Sequence, residues 1–78
     1  MSSTITHAGY GVWNRTIDVT QQVQRQYASG TRVFLPSNQY GDPFPGQRKY
    51  LYIFWTTDSG EKQSGVTGEL DDRGITIT

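Results

Sequence analysis

At 78 residues the chain has room for one small core, and without cysteine it can hold neither a disulfide nor a thiolate metal site. One histidine, His7, is too few donors for a nitrogen-rich metal centre, so neither a metal nor any other cofactor is expected. Seven basic residues balance seven acidic ones and are dispersed along the chain, whereas phosphate-backbone binding concentrates positive charge, so no nucleic-acid partner is expected.

Residues 3–10 are rich in β-branched side chains and predict a first strand, with Gly9 and Gly11 on either side of Tyr10 marking a bulge or bend. Residues 15–19 predict a short second strand with Ile17 and Val19 on one face. A helix follows at about residues 20–28. It has good helix formers without Gly or Pro, and Val23 and Tyr27 stand i, i+4 on one face. Asp18 paired with Gln21, or Thr20, can cap its start, and Gly30 its end. Residues 31–35 predict a strand, with Val33 and Leu35 on one face and Phe34 on the other. Residues 36–47 read as loop, 48–57 as the strongest strand, Asp58-Ser59-Gly60 as a hairpin turn and 61–67 as the returning partner. Residues 68–72 turn again, and 74–78 alternate as a closing strand. Together these predict a single, mainly β domain over residues 1–78. Its architecture is a compact antiparallel β-sandwich or small barrel of five to six strands with one short α-helix.

The strand from Tyr50 is apolar on both sides. Leu51, Ile53 and Trp55 alternate with Tyr50, Tyr52 and Phe54. The aliphatic set suits the core, and the aromatic set then needs its own cover. Either a second sheet of the same chain supplies that cover, or the face meets itself in a symmetric homodimer, with Tyr50, Tyr52 and Phe54 as the interface. A small core without disulfide or metal favours the homodimer.

The loop Gly41-Asp42-Pro43-Phe44-Pro45-Gly46 is stiffened by its prolines. A rigid loop loses little entropy on binding. It also fits a plain scaffold, in which Asp42 caps backbone N–H groups and Phe44 fills the core. Around it stand Asn38, Gln39, Tyr40 and Arg48, and earlier in the chain Tyr10, Trp13 and Asn14. An aromatic ring packs on the C–H face of a pyranose, while Asn, Gln and Asp hydrogen-bond its hydroxyls. Candidate glycan contacts are therefore Trp13 and Tyr40 for stacking, with Asn14, Asn38, Gln39 and Asp42 for the hydroxyls. Trp13, in a polar and Gly-containing stretch, is either a core anchor for its loop or an exposed platform.

Catalytic residues are not expected. His7 has no nucleophile at a recognisable spacing, no phosphate loop occurs, and Asp71-Asp72 fall in a turn where solvation explains them. The opening residues lack the basic start and apolar run of a signal peptide, and no stretch approaches membrane-spanning length. This predicts a cytoplasmic protein, or one released by an unconventional route, with no membrane insertion.

The order Ala8-Gly9-Tyr10-Gly11, Asp18-Val19-Thr20, then residues 40–46 and Lys49-Tyr50-Leu51-Tyr52-Ile53 resembles the C-terminal domain of a mitochondrial DnaJ-like family. That domain is a small β-domain of uncharacterised function. The resemblance spans roughly residues 5–77 and implies a structural role for Gly41, Asp42, Pro43, Gly46 and Lys49. By type alone the chain is similar to small cytosolic lectins of fungal fruiting bodies. The function expected is therefore a non-catalytic lectin, binding glycans as a homodimer. The alternative is a protein-protein interaction or assembly module that uses the aromatic face of residues 48–57.

Overall fold

The computed structural model describes residues 2–41 and 44–78, apart from the Asn38 side chain. Its elements are β1 (Thr4–Val12), β2 (Arg15–Asp18), α1 (Thr20–Ala28), β3 (Val33–Phe34), β4 (Tyr50–Thr56), β5 (Lys62–Gly68) and β6 (Ile75–Thr76). A short helical turn covers Asn38–Tyr40. The first sheet has the order β2-β1-β4-β5 and every neighbour is antiparallel; β3 and β6 form a second, two-stranded antiparallel sheet. The expected mainly β fold with one short helix is what forms, and no barrel closes.

The core lies on one face of the large sheet. Ile5, Ala8 and Tyr10 of β1 and Leu51 and Ile53 of β4 point into it, with Ile17 and Trp55 half-buried at its margin. Val23 and Tyr27 of α1, Phe34, Tyr40, Ile75 and Ile77 close it from the other side. Ile5 and Ala8 stand three apart, which strict alternation would send to opposite faces. A bulge at Thr6 resolves the conflict: Ile5 opposes Trp55 and His7 opposes Phe54, leaving Thr6 as the extra residue. The Thr6 hydroxyl donates to the Phe54 carbonyl at 2.9 Å. The expected irregularity at Gly9 and Gly11 is thus misplaced, since both keep their register with Tyr52 and Tyr50. Gly9 serves packing instead, because a Cβ there would meet the Tyr52 hydroxyl at 2.1 Å.

The helix occupies the residues expected. Its N-cap is Val19, without a side-chain cap bond, so neither expected cap holds that position. Asp18 acts one residue earlier, accepting from the Thr20 N–H at 2.9 Å and from the Thr20 hydroxyl at 2.5 Å. Those two bonds hold the Asp18 carboxyl below its ordinary range. At the other end Thr31 N–H reaches Gln26 O and Gly30 N–H reaches Tyr27 O, with Gly30 at φ +110°. This is a Schellman closure, and it needs glycine.

The third and last strands shorten to two residues each, pairing Val33 with Thr76 and Phe34 with Ile75. Phe34 and Ile75 face inward, while Val33 and Thr76 are exposed. Tyr27 ties this second layer to the helix. Its hydroxyl accepts from Ser3 N–H at 2.8 Å and donates to Thr78 O at 3.0 Å, and Arg32 stacks on its ring at 4.0 Å. Tyr27→Phe keeps the ring and strands both backbone groups. It is expected to cost about 1–3 kcal/mol. Urea unfolding followed by circular dichroism measures this, with the midpoint falling at unchanged slope.

Candidate functional site

The end of the large sheet where Gly11, Tyr50 and Gly68 lie side by side collects three connections: the β1–β2 hairpin, the segment 44–49 and the exit from β5. Val12 pairs with Arg15, so Trp13 and Asn14 alone turn the hairpin. Trp13 has φ +53°, a conformation that costs a bulky residue about 1–3 kcal/mol and that hairpins of this length usually give to glycine. It is 74% exposed. Of the two roles open to it in the sequence, the core anchor is excluded.

Trp13 has one aromatic neighbour. The Phe44 ring meets it nearly edge-on, centroids 5.8 Å apart and planes at 70°. The Arg15 guanidinium lies over the same Phe44 ring at 4.8 Å. Phe44 therefore does not fill the core; half-buried, it braces Trp13 and Arg15. Its own position is set by Lys49, whose buried ammonium donates to Gln47 O at 2.6 Å and Phe44 O at 3.2 Å and pairs with Glu69 Oε1 at 3.2 Å. Arg48 lies over the Tyr50 ring at 5.3 Å and donates from Nε to Glu69 O at 2.9 Å.

The sequence-expected contacts divide. Trp13 and Asn14 are exposed together at the hairpin tip. Gln39 is exposed, but its carbonyl accepts from Gln22 Nε2 at 3.4 Å, which places it against α1 rather than beside Trp13. Tyr40 is only 4% exposed, and its ring cannot stack on a ligand. It packs on Tyr10, itself fully buried, at 5.6 Å and donates its hydroxyl to Gln26 Oε1 at 2.9 Å. An aromatic in a polar loop was pulled inward by a partner distant in sequence. Asp42 and the Asn38 side chain, with their expected hydroxyl contacts, lie outside the described residues. Tyr50 and Phe54 are exposed and Tyr52 half-exposed on the outer face, where Tyr52 and Phe54 meet His7 at 6.0 and 6.3 Å. Val66, opposite Tyr52, is exposed too. Among the described residues no second sheet covers that face.

The places of Phe44 and Arg15 beside Trp13 and the exposure of Leu70 were not expected from the sequence. Phe44 stands between two prolines, which was a signal of a held ring. Leu70, 99% exposed at φ +74° beyond β5, carried none. A polar cleft of about 680 Å³ opens elsewhere, between the Thr6 bulge and the start of α1. There the Thr20 hydroxyl is hydrogen-bonded to Asp18, to the Ala8 peptide and, at 3.3 Å, to His7 Nδ1. No helix among the described residues is long and apolar enough to cross a membrane. Compared with known protein families, curated proteins and solved structures, the chain finds no match.

Burial of Tyr40 raises its phenol above the ordinary 10.0, with the Gln26 bond pulling partly back. A raised pKa adds stability that is complete below pH 10 and lost as pH climbs through the folded value. Tyr40→Phe is therefore expected to flatten the alkaline limb of the stability–pH curve above pH 10. Urea midpoints taken from pH 8 to 11 check it.

Proposed function

We propose that the protein is a non-catalytic carbohydrate-binding protein, a small lectin acting as a homodimer. The observation that carries this is Trp13, a large ring held in a strained backbone conformation and exposed to solvent. Burial of its own ring does not offset that strain, which points to a requirement for the aim of the ring. An indole braced by Phe44 offers a flat apolar platform, and Asn14 beside it supplies an amide for sugar hydroxyls. Rigidity of the supporting segment limits the entropy lost on binding. Work in the cytoplasm, or outside the cell by an unconventional route, suits a chain similar in type to the small cytosolic fungal lectins.

The homodimer is supported by the uncovered aromatic face. Its four strands, about 4.8 Å apart, and seven residues of about 3.4 Å each span roughly 20 by 24 Å. Two copies packed on that face would bury roughly 1,000 Å² in total, the lower bound of a specific interface. Two sugar sites per dimer would then act together, so that weak single sites cross-link glycans with useful avidity.

A glycan array reads the first claim. Binding is expected at millimolar ligand or below, and Trp13→Ala is expected to weaken it at least about tenfold, with circular dichroism unchanged because the ring is exposed. No glycan bound at millimolar concentration removes the lectin reading. Light scattering on a sizing column reads the second. Wild type should run as a dimer at micromolar concentration, and Phe54→Lys with Val66→Lys as a monomer. A monomeric wild type overturns the homodimer, and a different protein co-purifying on that face would make the chain an assembly module.

A further inference from the structure

We propose that the sugar taken at Trp13 is acidic, with its carboxylate or sulfate held by Arg15. This rests on the carbohydrate reading and adds the charge of the ligand. Trp13, Phe44 and Arg15 form one continuous ladder at the sheet end, with the indole at one side of the Phe44 ring and the guanidinium over it. A pyranose stacked on the indole would bring an exocyclic acid group towards the cation.

The state of Arg15 is the telling point. Its guanidinium is stacked over a ring, and among the described residues no carboxylate or carbonyl takes up its N–H edge. Three other cations do have oxygen partners. Lys49 is paired with Glu69, Arg73 with Asp71 at 3.2 Å, and the Arg48 Nε–H with the Glu69 carbonyl. A planar fork of donors binds carboxylate or sulfate oxygens in pairs, which a lysine at the same place would not do. Zero net charge gives the chain as a whole no attraction for anions, so a preference for one would arise from local cations such as this fork.

Matched sugars test it on the full-length chain in 150 mM salt, where long-range attraction is screened. Methyl glucoside and methyl galactoside are titrated beside their uronic acids and their 6-sulfates, with backbone amide shifts followed by NMR in every variant and the Trp13 indole N–H followed where Trp13 is present. The acidic member of at least one set is expected to bind at least about tenfold more tightly than its neutral counterpart. Whether the uronate or the sulfate wins identifies the oxyanion. Arg15→Gln should abolish the preference while leaving the neutral sugar within about twofold, and Trp13→Ala should abolish both. Neutral sugars bound as well as acidic ones, or a preference that survives in Arg15→Gln, overturns the acidic assignment alone. Failure of every sugar to move the Trp13 signal overturns the carbohydrate reading beneath it as well.

Discussion

Lys49 is the constraint on which the Trp13 end of the large sheet depends. Its ammonium is buried, and a buried cation costs several kcal/mol unless oxygens surround it. Among the described residues such oxygens come from Phe44, Gln47 and Glu69, so one charge gathers the segment before β4 and the exit from β5. The backbone doubles the link: Lys49 N–H donates to Glu69 Oε1 at 2.7 Å, and Glu69 N–H donates to Lys49 O at 2.8 Å. Phe44 is fixed by its own carbonyl in this way, and through Phe44 so are Trp13 and Arg15. The Lys49 bonds hold protein to protein. The lysine holds the site without facing a ligand.

The second organising fact is that the large sheet has two unlike sides. Helix, small sheet and the Tyr40 turn all pack on the inner face, where the aliphatic half of β4 lies. On the outer face side chains lie flat instead of interdigitating. Tyr52 rests across Gly9, and the Arg48 guanidinium rests over Gly68, where a Cβ would come within 2.8 Å of it. Two glycines thus let long side chains cover the backbone and keep the surface level. The Thr6 bulge completes it by turning His7 outward beside Tyr52 and Phe54. Tyr50, Tyr52, Phe54 and Val66 are thereby left on a face that nothing covers among the described residues.

Local signals in the sequence located most of the fold. The i, i+4 pair Val23 and Tyr27 with Gly30 after them defined the helix, and Asp58-Ser59-Gly60 defined the hairpin that pairs β4 with β5. The alternation in Leu51–Trp55 separated the core side of β4 from its outer side. What stayed illegible depended on residues far apart in the chain. Tyr40 sits among polar residues, yet Tyr10 and Gln26 draw it inside. The bulge was foreshadowed by the three-residue step from Ile5 to Ala8, but the nearby glycines, which serve packing, were the more visible cue. Trp13 was legible as a residue and not as an orientation, because the positive φ that exposes it comes from hairpin register.

Strain and exposure coincide in this molecule in a way that separates stability from function. The two non-glycine residues with positive φ among those described are Trp13 and Leu70, and both are large, apolar and turned to solvent. Both also lie beyond the same end of the sheet, on the two connections that flank β4 and the Lys49 junction. The interior shows the opposite character. Its aromatic hydroxyls on Tyr27 and Tyr40 are bonded, and Thr67 Oγ1 is the single buried side-chain polar atom found without a partner among the described residues. A satisfied core can carry a few kcal/mol of local strain at its rim. Among the described residues both of these costly non-glycine conformations lie at one rim of the sheet and none in the body of the fold.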